Sequence, residues 1–76
     1  MFSLNGLEIG KVSVIEGVRP SGMEGRLEDL GFTAGAKVEC LFAAPSGDPR
    51  AYLVRGAVIA LRGEDAAEVA IFGGEE

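Results

Sequence analysis

One thiol, two pairs of neighbouring carboxylates and a few arginines at element ends are the side chains that could do chemistry here, and no histidine stands among them. A thiol becomes a nucleophile or a metal ligand only where a cation, a base or further ligands surround it. Cys40 has no His, Lys or second Cys placed to supply that, and its place in Lys37-Val38-Glu39-Cys40-Leu41-Phe42 suits a small buried hydrophobe. Glu24 with Glu28, and Glu64 with Asp65, offer oxygens to a hard cation. Weak divalent-metal binding is the most they support, because a high-affinity transition-metal site also wants imidazole or thiolate. No hydroxyl or thiol has an imidazole base, and no Gly-rich run leads into Lys-Ser or Lys-Thr as a phosphate loop requires. The sequence therefore predicts no catalytic residue, no dedicated metal site, no cofactor and no enzyme.

What remains is recognition by contact. Arg50 and Arg62 edge strands beside turns, where an exposed guanidinium contributes strongly to interfaces. Arg26 lies one turn from a helix end and serves either a partner or an intrahelical pair. Leu30 and Phe32 straddle Gly31, and they either project as an apolar docking patch or, for Phe32, fold back on Leu27 to staple the helix end. Arg26, Leu30, Phe32, Arg50 and Arg62 are the candidate protein-contact residues.

Composition limits the partner. Twelve acidic against seven basic residues give a net charge of -5, which opposes the counterion release that drives nucleic-acid binding. The longest apolar runs, Cys40 to Ala44 and Ala57 to Leu61, fall far short of the roughly 20 residues that span a bilayer. Met1 to Gly10 lacks a basic stretch leading into an apolar block. A cytoplasmic protein with no nucleic acid and no direct membrane insertion is the expectation. Its lone cysteine forms no internal disulfide, so one small apolar core must hold 76 residues.

The elements that position these residues are short. Ser21 with Glu24 has capping-box spacing, Met23, Leu27 and Leu30 share a helical face, and Gly31 stops the run, which predicts a helix over about 22–30. Lys11 to Ile15 reads as a first strand with Val12 and Val14 on one face. Lys37 to Phe42 reads as a second, with Val38, Cys40 and Phe42 together. Pro45-Ser46-Gly47-Asp48-Pro49 is a loop. Arg50 to Arg55 and Ala57 to Arg62 flank Gly56 as a tight hairpin or barrel corner, with Phe42, Val54 and Val58 assigned to one face and Leu41, Leu53 and Ile59 to the other. Gly63 to Ala66 makes a one-turn connector, Glu68 to Phe72 a last strand, and 73–76 a flexible tail. Five to six short strands with one helix inserted after the first predict an all-β small barrel, SH3-like, with an OB-fold as the competitor of similar size.

In this order the segments resemble the FeoA family, small cytosolic proteins associated with the ferrous-iron transporter FeoB. The resemblance runs through Leu4-x-x-Leu7-x-x-Gly10, Arg26-Leu27-x-x-Leu30-Gly31-Phe32-x-x-Gly35, Ala44-Pro45-x-Gly47-Asp48-Pro49 and Arg55-Gly56-x-x-Ile59-Ala60-Leu61-Arg62. It covers about Leu4 to Phe72, and its specificity lies in the order of the blocks. It implies one FeoA-like SH3-like domain over 1–76, acting as an adaptor or regulatory subunit on FeoB, a membrane permease with a cytosolic GTPase domain. A transition-metal-binding protein using surface carboxylates, and a self-assembling homo-oligomeric module, are the rival readings.

Overall fold

The computed structural model describes residues 2–73, so the expected tail lies outside the described residues from position 74 onward. In chain order the elements are β1 (Phe2–Ser3), a 3₁₀ turn (Leu4–Gly6), β2 (Val12–Val18), α1 (Glu24–Asp29), β3 (Lys37–Ala43), β4 (Arg50–Val54), β5 (Ala57–Leu61), α2 (Gly63–Ala66) and β6 (Val69–Ile71). All strand pairs are antiparallel, in the order β1-β6-β2-β3-β4-β5. This is the SH3-like arrangement. The helix follows β2 rather than the first strand, because Phe2 and Ser3 pair with Ile71 and Ala70 and so form a strand too short to carry a periodic signal.

Leu4, Leu7, Ile15, Leu27, Phe32, Val38, Cys40, Tyr52, Val54, Val69 and Ile71 are buried in one core, with Met23, Val18 and Ile59 packed at its margin. Every element except β5 contributes a large side chain that is almost wholly inaccessible, apart from the two-residue β1 and the α2 turn, which contributes Ala66.

Three facing assignments differ from the alternation read in the sequence. In β2 it is Ser13 and Ile15 that point inward, while Val14 is 39% exposed. A serine is tolerated inside because its Oγ donates to the Phe72 carbonyl at 2.6 Å. In β3 the ladder slips between Cys40 and Phe42, so that Cys40 faces Tyr52 and Phe42 faces Ala51. The extra residue reverses the period, and Phe42 leaves the Val38 and Cys40 face for solvent, 58% exposed. Across the hairpin, partners share a face: Tyr52 with Ile59 lies inside, and Leu53 with Val58 outside. Ile59 therefore joins the core margin and Val58, rather than following Val54, is 59% exposed.

Candidate functional site

The helix end comes first, since it sets the position of everything beside it. Gly22 takes φ +94 and cannot be helical, so α1 starts at Glu24 with Met23 as N-cap, two residues later than the spacing predicts. The Glu24 side of the capping box forms nonetheless, Glu24 Oε1 accepting the N–H groups of Gly22 at 2.6 Å and Ser21 at 3.1 Å. Together with the N–H of Glu24 itself, the largest influence, these bonds hold its carboxyl below the usual carboxylate range.

At the other end Gly31 adopts φ +115. The N–H of Phe32 reaches the Leu27 carbonyl at 3.1 Å and that of Gly31 reaches Glu28 at 3.0 Å, the two bonds of a Schellman stop. Phe32 is 0% exposed and packs in the same core as Leu27. Of its two expected roles the staple is the one present, and its ring is not on the surface for a partner to meet. Leu30 is 37% exposed and Arg26 is exposed.

Gly31 lies against the turn between β4 and β5. A Cβ there would stand 3.6 Å from Val54 Cγ1 and 3.8 Å from Arg55 Cβ. Val54 pairs with Ala57, so Arg55 and Gly56 alone make the turn, both with positive φ, 49° and 81°. That is the type I′ pattern, whose twist matches the strands it joins. Arg55 Nη2 and Nε donate to Thr33 Oγ1 at 2.7 and 3.2 Å, binding the turn to the segment after the helix. The helix end and the late hairpin, separate in sequence, are one surface.

The opposite end of the hairpin is built on the Pro45 to Pro49 loop. Asp48 Oδ1 accepts the Gly63 N–H at 2.6 Å, which fixes the loop to the first residue of α2. A carboxylate there satisfies one of the amides that a helix start leaves without an internal partner. Ser46 Oγ donates to the Asp48 carbonyl at 2.9 Å, and Asp48-Pro49 is a cis peptide. Arg50 is half-buried, its Nη1 donating to the Leu7 carbonyl at 3.0 Å. Arg62 is exposed and precedes α2 as its N-cap residue. Arg19, which no sequence signal singled out, donates through Nη1 to Ser3 Oγ at 2.9 Å and to the Ala67 carbonyl, tying β1 to the end of α2.

Between these two ends runs β5. Among the described residues it ends the strand order and pairs with β4 alone. Its five residues are all apolar, yet Ala57, Val58 and Ala60 are exposed, Ile59 is half-buried and only Leu61 is buried. An unpaired, apolar edge is the feature that soluble proteins otherwise blunt with charge, proline or a bulge. The five candidate residues thus separate: Arg26 and Leu30 at the turn end, Arg62 at the loop end, Arg50 turned inward and Phe32 in the core.

The residues that could hold a metal or react are not drawn together. Among the described residues no three of His, Cys, Asp and Glu are grouped. Cys40 is fully buried opposite Tyr52, and burial pushes its thiol up, against the pull of the Arg50 guanidinium. Burial, chiefly, also pushes the Tyr52 phenol up to about 12, from an ordinary 10. Tyr52 is the one tyrosine and the chain has no tryptophan, so tyrosinate absorbance reports this group alone. We expect a spectrophotometric midpoint near 12. A phenol harder to ionise when folded retains its proton while the unfolded chain loses it, so stability falls as pH rises from about 10 toward 12. A midpoint near 10 in the folded protein would contradict this environment.

A small antiparallel barrel around one apolar core, with an exposed apolar strand at its edge, defines a protein of the SH3-like class. The chain belongs to the FeoA domain family, whose model matches residues 2–71. A solved FeoA from Stenotrophomonas maltophilia, complexed with zinc, is 27% identical with a TM-score of 0.88, covering 100% of this chain and 96% of that one. It is described as a prokaryotic SH3 domain protein and suggested as a bacterial ferrous iron transport activating factor. A FeoA-like protein from Clostridium acetobutylicum is 30% identical, TM-score 0.86, over 92% of this chain and 83% of its own. The FeoA protein of Chlorobium tepidum is 32% identical, TM-score 0.81, over 99% and 74%. No curated protein matches the chain.

Proposed function

We propose that this chain is a non-enzymatic accessory protein of ferrous-iron uptake that acts in the cytoplasm by docking on the GTPase-bearing cytosolic part of a FeoB-type permease and modulating it. The observation that carries the proposal is the β4–β5 hairpin of a FeoA-family barrel, apolar and unpaired along one strand, with guanidinium groups at both of its ends. Such a surface recognises another protein, whereas the buried thiol and dispersed carboxylates offer nothing to a substrate. No helix among the described residues is long and apolar enough to cross a membrane, which is consistent with a partner that supplies the membrane part. The test is a pull-down of the isolated cytosolic region of the permease by this chain, with and without guanine nucleotide. Capture is expected, and failure in both nucleotide states sinks the proposal.

The zinc held by the Stenotrophomonas relative favours a second reading, metal binding through surface carboxylates such as Glu24 with Glu28 or Glu64 with Asp65. Anaerobic calorimetric titration with Fe(II) and with Zn(II) separates the two readings. Saturation at micromolar metal would establish a site that a pure adaptor does not need.

A further inference from the structure

Docking on a permease leaves open what part of the partner is recognised, and the geometry of β5 answers that. In a two-residue hairpin the residues flanking the turn exchange both backbone bonds, and bonded and non-bonded pairs then alternate along the ladder. Here Val54 and Ala57 flank the turn, so Tyr52 with Ile59 and Arg50 with Leu61 are bonded pairs, while Leu53 with Val58 and Ala51 with Ala60 are not. The N–H and C=O groups of Val58 and Ala60 therefore point away from β4, and among the described residues no other backbone group bonds to them. They form a two-residue template for one more strand. Around it the side chains are apolar on both faces, Val58 and Ala60 outside and Ile59 inside.

Charge selects the occupant. Arg55 stands at one end of β5 and Arg62 at the other, roughly 20 Å apart at ~3.3 Å per residue. Arg55 bonds to a neutral hydroxyl, which leaves its charge uncompensated. At the other end Asp48, bonded to the Gly63 amide, and Glu64 and Asp65 in the first turn of α2 set negative charge beside Arg62, so the turn end of β5 is the basic one. A second copy of the chain fits this edge poorly. Antiparallel pairing about Ile59 would bring Arg62 of one chain next to Arg55 of the other, and would join two bodies that each carry -5.

We propose that the free edge of β5 receives an extended segment of the permease's cytosolic region as an added strand, with apolar residues at its centre and a carboxylate at the end that meets Arg55. This rests on the docking reading above and names the chemistry of the contact. Backbone bonds to Val58 and Ala60 supply register, the apolar flanks supply contact area, and Arg55 selects for an acidic end.

The experiment measures affinity of the full chain for the permease's isolated cytosolic region by calorimetry, comparing wild type with Ala60→Pro, Val58→Lys and Arg55→Glu. Ala60→Pro removes an amide that faces away from β4, so the native ladder keeps its bonds and the variant is expected to melt close to wild type. Val58→Lys alters a side chain already 59% exposed and reads the edge even if the proline variant fails to fold. About tenfold or greater weakening by either variant, with Val58 and Ala60 amides protected from exchange in the complex, is the expected result. The charge reversal should weaken binding and flatten its salt dependence. Wild-type binding that both edge variants retain would overturn the edge and leave docking standing. Absence of wild-type binding would overturn both. A wild-type dimer by light scattering that the edge variants convert to monomer would assign the edge to self-association and also overturn the proposal.

Discussion

Replacing Phe32 with Ala should remove a large share of this chain's stability. The ring is 0% exposed and sits among Leu27, Val38 and Val54 in the one core the described residues share. Truncating a buried phenylalanine costs about 3–5 kcal/mol, counting the cavity left behind. A chain of 76 residues has roughly 4–11 kcal/mol in all at typical values per residue. The ring also closes the helix, so α1 should lose its stop when the core loses its filler. The expected melting temperature falls by ~15 °C or more, at about 4–8 °C per kcal/mol for a domain of this size. Phe32→Leu should recover much of it, since a branched aliphatic refills part of the volume. Circular dichroism against temperature measures both. An alanine variant that melts like wild type but no longer binds the permease would restore Phe32 to the surface role that its burial denies it.

Gly31→Ala is expected to cost about 1–3 kcal/mol, through backbone strain rather than collision. At φ +115 an L side chain is poorly tolerated, and this angle lies beyond the left-handed helical well that Asn or Asp could occupy. Space is not the obstacle, because the added methyl would meet Val54 Cγ1 at 3.6 Å, ordinary van der Waals contact. Gly25 supplies the contrast. It lies inside α1 with nothing within 4 Å of an added Cβ, and Gly25→Ala should raise stability by about 0.5–1 kcal/mol through helix propensity. The same change six positions apart therefore has opposite signs. Chemical denaturation of the two variants tests this, and equal effects at the two positions would refute the assignment of Gly31 to the helix stop.

Local rules carried the sequence reading wherever a feature was decided within a few residues. Leu27, Gly31 and Phe32 announce the Schellman stop because its bonds and its hydrophobic contact lie within one turn. Gly56 announces the hairpin, and Gly63 to Ala66 the connecting turn, for the same reason. The alternation rule failed where a neighbour intervened. Phe42 was assigned inward, and one extra residue in β3, visible only in its pairing with β4, turned it out. Alternation sets Ser13 on the face opposite Val12 and Val14, and a carbonyl 59 positions away makes its burial tolerable. The start of α1 was set two residues early because Gly22 takes a conformation that spacing does not reveal.

What the sequence determined by itself is therefore the family, the strand-rich barrel with its capped helix, and the lack of any histidine, all of which depend on residue type and short spacing. Tertiary structure alone decided which side chains remain available. It buried Phe32, drew Arg50 to the Leu7 carbonyl, brought the helix end against the Arg55 turn, and left β5 at the end of the sheet. Exposure belongs to pairs of distant segments, since a surface is free only when no other part of the chain comes to cover it. The apolar run Ala57 to Leu61 reads as core by composition, and its place at the end of the strand order among the described residues makes it an edge.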